Sequence, residues 1–191
     1  MSNLLENNLP VVESDGLNTN KAVTFGGALT VAGATIFNGS VTMNGLKVGG
    51  TKNVIIGGAT LTAAQSTSLV VFDTAAGELY TLPAPVAGLT FDFFVETTVT
   101  SSNHKVITNA GTVFLVGAIS YGILDTTPGA NPGPKFTAAN GTTHLAITMN
   151  GTTTGGLFGT YFNVTCISST LWTISGLVIA SGTISTPFTT S

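Results

Sequence analysis

Thr90-Phe91-Asp92-Phe93-Phe94-Val95-Glu96, TFDFFVE, alternates its side chains with a period of two. Successive side chains of a strand point to opposite faces, so Phe91, Phe93 and Val95 are expected to face a core. Asp92, Phe94 and Glu96 then occupy the opposite face. A phenylalanine set between two acids on an outer face marks these three residues as a candidate subunit contact.

Outward from this stretch the chain is a succession of short apolar runs. LVVFD (69–73), ELYTL (78–82), KVIT (105–108), TVFLVGAIS (112–120), THLAITM (143–149), TYFNVTCI (160–167) and LWTISGLVIA (171–180) all read as strands. Turn clusters such as NAG, TTPGANPGP, NGTT and NGTTTGG separate them, and glycine, proline and asparagine at such points break regular structure. Strands and turns at this spacing predict an all-β domain over residues 53–191, a β-sandwich or jelly-roll-like barrel.

A different pattern precedes it. In TFGGALTVAGATIFNGSVTMNG (24–45), glycine recurs every six residues at Gly27, Gly33, Gly39 and Gly45, and two places before each stands Phe25, Val31, Phe37 or Met43. Six residues match no whole number of helical turns, and a glycine in every unit costs a helix interior roughly 1 kcal/mol each. Short strands joined by glycine corners, where φ can be positive, describe a chain winding about an axis. One apolar side chain per unit points inward, and such units bury a core only by stacking on neighbours. Residues 21–52 are therefore expected to form a short β-stem in which three identical chains intertwine, Phe25, Val31, Phe37 and Met43 meeting their copies on the trimer axis.

Residues 1–20, MSNLLENNLPVVESDGLNTN, have no consistent period and hold Pro10, which is incompatible with a helix interior. They read as an extended arm. Leu4, Leu5, Leu9, Val11 and Val12 are unexpectedly apolar for a solvated tail, and an arm of this kind can dock by adding to a partner's sheet edge.

Composition limits the partners. Charged residues make up 7% of the 191, against about 25% in soluble domains. A surface so poor in charge favours association, so much of it is expected to be covered in an assembly. With no arginine, five scattered lysines and a net charge of −3, there is no basic patch for phosphates, and nucleic acid is not an expected partner. No apolar run reaches the 18 residues of a membrane-crossing helix, and the N-terminus lacks the charged-then-apolar order of a secretory signal. Synthesis in the host cytoplasm without a signal peptide, and no membrane partner, are the expectations.

Catalytic and metal-binding patterns are sparse. His104, in SSNHKV, and His144, opening THLAITM, are separate single histidines, expected to be exposed or simply hydrogen-bonded. Asp73 and Glu78 flank the turn DTAAGE, where carboxylates ordinarily accept from turn amides; calcium needs more oxygens than these supply. The single Cys166 shares a strand face with Phe162 and Val164 and reads as a buried thiol. Neither a nucleophile elbow, nor a phosphate loop, nor a zinc-protease motif occurs. The expectation is a non-enzyme that uses no cofactor and no metal. Tyr121 and Phe136, beside TTPGANPGP, are the aromatic residues best placed for recognition by a loop.

Several of these stretches resemble virion surface proteins of tailed bacteriophages. LPAPVAGLTF (82–91), the late strand with Trp172 and Gly176, and the stem repeat LTVAGATIFNG (29–39) carry the resemblance. It implies a homotrimer on the virion surface with its N-terminal part towards the particle. The expected function is that of a capsid decoration or cement protein, whose partners are its own copies and the major capsid protein or another shell protein. The alternative is a short fibre or spike whose β domain binds a host receptor.

Overall fold

The computed structural model describes residues 52–124 and 135–191. The predicted arm and, apart from Lys52, the predicted stem lie outside them, with every proposed axis and docking residue. Twelve strands follow one another: β1 (Val54–Ile55), β2 (Ala59–Thr60), β3 (Leu69–Phe72), β4 (Leu79–Thr81), β5 (Thr90–Val95), β6 (His104–Ile107), β7 (Phe114–Ile123), β8 (Lys135–Asn140), β9 (Ala146–Met149), β10 (Tyr161–Cys166), β11 (Leu171–Ala180) and β12 (Phe188–Thr189). A single 3-10 turn, Ala63–Gln65, links β2 to β3, and no α-helix occurs among the described residues. The domain is all-β, as the alternating pattern predicts.

The strands form two mixed sheets, ordered β1-β3-β5-β10-β11-β7-β8 and β12-β9-β6-β4-β2. The first six strands alternate between them. Consequently β1, β3 and β5 stack in parallel in one sheet, Val54 beside Leu69 beside Asp92, while β2, β4 and β6 stack in parallel in the other, Ala59 beside Tyr80 beside Val106. Parallel neighbours need a crossover, and here each crossover is the strand laid down in the opposite sheet. The chain thus winds through residues 54–107 as a flattened coil of three turns, in the manner of a β-helix. A jelly roll, by contrast, is built from antiparallel Greek keys. Here β7 and β11 also run parallel over ten residue pairs, and only the remaining pairings, such as β5 with β10 and β6 with β9, are antiparallel. The two-sheet reading therefore holds in its coarse form.

Between the sheets lies one apolar core. Phe91, Phe93 and Val95 are fully buried, as the alternation in TFDFFVE requires, and so are Phe72, Tyr80, Phe162, Val164, Leu115 and Trp172. Tyr80 of the smaller sheet meets Phe72 of the larger edge-on at 5.1 Å between ring centres, and Phe93 stacks on Phe162 at 5.0 Å. Each fully buried side chain of this size contributes about 1.5–3 kcal/mol by leaving water. The Tyr80 hydroxyl also donates to the Val71 carbonyl, 2.8 Å away, so a polar bond joins the sheets within the apolar layer.

The turns use asparagine and threonine in place of charge. Asn140 Oδ1 accepts from the amides of Thr142 and Thr143, each at 3.0 Å, and Asn150 Oδ1 accepts from Thr152 and Thr154 at 3.0 and 3.1 Å. Each is followed by a glycine with positive φ, 74° at Gly141 and 77° at Gly151, a conformation glycine adopts without steric penalty. The repeated Asn-Gly-Thr-Thr is turn chemistry.

Candidate functional site

The chemistry of the domain collects on the outer face of the seven-stranded sheet. On β5, Asp92 and Phe94 point away from the core, and Glu96 is exposed just beyond the strand. The sequence reading of all three faces is therefore correct. Their neighbours are set by register: Asn163 of β10 lies opposite Asp92, and Tyr161 opposite Phe94.

Asp92 is the anchor of a small polar network. Asn163 Nδ2 donates to its Oδ1 at 2.7 Å and also reaches the Thr90 hydroxyl at 3.0 Å. Lys52 forms a salt bridge with the other carboxylate oxygen. Partial burial by itself would push the Asp92 carboxyl up, but hydrogen bonds from Lys52, Asn163 and Tyr161 outweigh it and hold the group below the usual carboxylate range. Thr90 and Thr165 extend the network, their hydroxyls 3.0 Å apart. One end of this face is aromatic: Phe158, from the loop before β10, meets Phe94 edge-on at 6.1 Å.

Pairing across the sheet continues both themes. Through successive registers Val71, Phe94, Tyr161, Leu177, Ser120 and Phe136 fall in one row across six strands. Leu69, Asp92, Asn163, Ser175, Ala118 and Ala138 form the adjacent row. The first row is apolar except for one serine, and it is wet from Tyr161 onward: Tyr161 and Leu177 are each 44% exposed and Phe136 71%, while Val71 at its start is buried. The second is made largely of short side chains. Asp92 is the sole charged residue in either row.

Other candidate residues have interior roles. Glu78 is buried and accepts from the amides of Asp73 at 2.7 Å, Thr74 at 3.4 Å and Gly57 at 3.0 Å, the turn role read from DTAAGE. Burial nevertheless pushes its carboxyl up. Cys166 is buried as expected, beside Phe162 and Val164 on the inner face. Its thiol donates to the Ser168 carbonyl at 3.1 Å, and burial raises its pKa, which disfavours a reactive thiolate.

One expectation is met in only one of its alternatives, and one needs correction. His104 is hydrogen-bonded, one of the two alternatives expected of it, and is not exposed. It opens β6 wholly buried, its ring 4.5 Å from Phe72 and its Nε2 2.9 Å from the Thr97 carbonyl, with Nδ1 lacking a protein partner. Polar neighbours in SSNHKV conceal that its side chain continues the inward alternation with Val106. Tyr121 is likewise interior, and its hydroxyl donates to the Ser185 carbonyl at 2.9 Å. Of the proposed aromatic pair, Phe136 alone is on the surface. His144 is half-buried against Phe188, and its Nδ1 accepts from the Asn140 amide at 3.1 Å.

Sequence reasoning missed Leu177, Ser175 and the whole of β8. The alternation in LWTISGLVIA was a usable signal for the first two. KFTAAN offers no such signal, because all its residues but Phe136 are small or polar and match a loop as well as an edge strand. Among the described residues no three of His, Cys, Asp and Glu cluster in a way that could hold a metal ion. No protein-family model, curated protein or solved structure matches the chain.

Proposed function

We propose that this chain is a structural protein of a virus particle, a homotrimer that decorates the capsid and strengthens it by bridging neighbouring shell subunits. The observation that carries this reading is the six-residue register of residues 23–45, whose single apolar stripe would be wet in a lone chain. Two further features support it. The chain is extremely poor in charge, and the two rows that cross the outer sheet face of its β domain hold a single charged residue, Asp92. In this reading the stem holds three chains together, the arm of residues 1–20 docks on the shell, and no reaction is catalysed. Three arms on one stem act at high effective concentration, so modest contacts from Leu4, Leu5, Leu9, Val11 and Val12 sum to firm attachment.

Co-sedimentation with undecorated capsids tests the arm. A protein lacking residues 1–16 retains the whole repeat and is expected to assemble normally but to stay in the supernatant, whereas the intact protein pellets with the capsids. Raised salt is expected to change little, because the arm has no basic residue before Lys21. Equal pelleting of both proteins refutes the docking arm. Failure of both to pellet favours the fibre reading, for which Phe136, exposed on β8, is the remaining surface aromatic of the proposed pair.

A further inference from the structure

Two buried polar side chains stand side by side at one end of the smaller sheet. Across the parallel pairing of β4 with β6, Leu79 lies beside Lys105 and Tyr80 beside Val106. Glu78 and His104, each one place earlier, are therefore neighbours, and both are buried on the core side with Tyr80 and Val106. Glu78 is fully engaged, because its carboxylate accepts from three backbone amides. His104 is not.

The histidine ring is held by three elements. Phe72 of β3 lies 4.5 Å from it between ring centres, β9 places Met149 opposite it, and the loop after β5 offers the Thr97 carbonyl 2.9 Å from Nε2. A carbonyl only accepts, so Nε2 carries the hydrogen of the neutral ring and Nδ1 is a bare lone pair. Nδ1 has no partner among the described residues. A proton taken up there makes a charged donor without an acceptor in a fully buried site, a costly state. The charged groups nearby do not remove this cost. Lys105 is on the other face of β6, Glu96 is exposed beyond β5, and Glu78 is committed to its amides. Asp73, exposed at the end of β3, raises the proton affinity of the ring less than burial lowers it.

What the ring holds in place is a loop. Residues 96–103 are bound to the end of β3 and the turn beyond it: the amides of Glu96 and Thr97 donate to the Phe72 carbonyl at 3.0 Å, and the Thr100 amide to the Ala75 carbonyl at 2.9 Å. The same loop buries Val99, and its Thr98 hydroxyl accepts from the Phe158 amide at 2.9 Å. We infer that His104 is an acid-sensitive latch: on protonation its ring leaves the core for water, and the 96–103 loop and the 73–77 turn come away together while the sheets stay paired. One proton limits the size of the effect. A histidine in the open form titrates near pH 6.5, so the open fraction rises at most about 25-fold from pH 7 to pH 5. Glu78, whose burial favours its protonated form, acts in the opposite direction and keeps the rise below that ceiling.

Amide hydrogen exchange of the full-length protein, read by mass spectrometry and corrected for the intrinsic pH dependence of the exchange chemistry, is the test. Peptides covering residues 73–77 and 96–103 are expected to lose protection several-fold from pH 7 to pH 5, and those covering β10 to keep theirs. In His104→Gln, whose amide can donate to the Thr97 carbonyl but takes up no proton, the loss is expected to disappear. Equal protection at both pH values overturns the latch, and so does the same loss in His104→Gln. Loss that extends to β10 overturns it in favour of global unfolding, and a rise beyond the ceiling means that other groups drive the opening. Should His104→Gln fail to fold, the ring resonances of the wild type decide. His104 is expected to be the Nε2-protonated tautomer at pH 7 and to titrate in step with the loosening of both segments, and a ring that titrates while they stay protected refutes the latch.

Discussion

At the scale of the residue, His104 shows how a polar side chain is held neutral inside this protein. Burial pushes its pKa down, opposed by the bond to the Thr97 carbonyl and weakly by the charge of Asp73. The folded state thus binds a proton less readily than the unfolded chain, whose histidines titrate near pH 6.5. Its stability contribution is full above about pH 6.5 and is lost as pH falls below that, through the lowered folded value. Glu78 works in the opposite direction. Its folded pKa is raised by burial, so its contribution is present below about pH 4.5 and is lost as pH rises through the folded value. The stability of wild type relative to His104→Gln is therefore expected to fall as pH drops below about 6.5, whatever the substitution does to stability at pH 7. Urea midpoints measured for both proteins across this range decide the matter, and parallel curves would acquit His104.

At the scale of the element, strand β7 carries two glycines with unlike duties. Gly117 has φ +122°, and a Cβ there would lie 2.3 Å from the Ile174 carbonyl oxygen of β11. The parallel pairing of these ten-residue strands depends on that close approach. At Gly122 the nearest atoms to an added Cβ belong to the side chains of Leu177 and Ile179, at 3.6 Å and beyond, which is ordinary contact. Gly117→Ala combines a disfavoured φ, about 1–2 kcal/mol, with a backbone clash, so a loss of at least about 2 kcal/mol is expected. Gly122→Ala should be neutral or add up to about 1 kcal/mol by restricting the unfolded chain. Equal denaturation midpoints for the two variants would show that the β7–β11 pairing relaxes without strain.

At the scale of the whole molecule, the proposed assembly turns on the register of the stem. If Phe37 lies on a threefold axis, Phe37→Asp brings three carboxylates together without partners, a severe penalty for buried charge. Ser40→Asp, off the stripe, places its charge in water. The first variant is expected to be monomeric at micromolar concentration and the second to remain trimeric, with light scattering as the measurement. A wild-type mass of 19.3 kDa, or the same state for both variants, would dispose of the register.

Local alternation was sufficient to place Phe91, Phe93 and Val95 in the core and Asp92 and Phe94 outside, because a strand's period of two is a property of neighbouring residues alone. The burial of Cys166 and the turn role of Glu78 were legible for the same reason: each depends on residues within a few positions. Pairing is not local. Nothing in LVVFD or ELYTL says that β3 and β4 belong to different sheets, or that the chain coils between them before running antiparallel. Nor does the chain order reveal that Val71, Phe94, Tyr161, Leu177, Ser120 and Phe136 share a row, since that row joins residues up to 106 positions apart. Tyr121 was misread, and the two alternatives for His104 were left open, because burial is decided by what the opposite sheet covers. Tertiary structure alone settled these points, for register between distant strands is selected by the fit of two whole faces rather than by any residue's own preference.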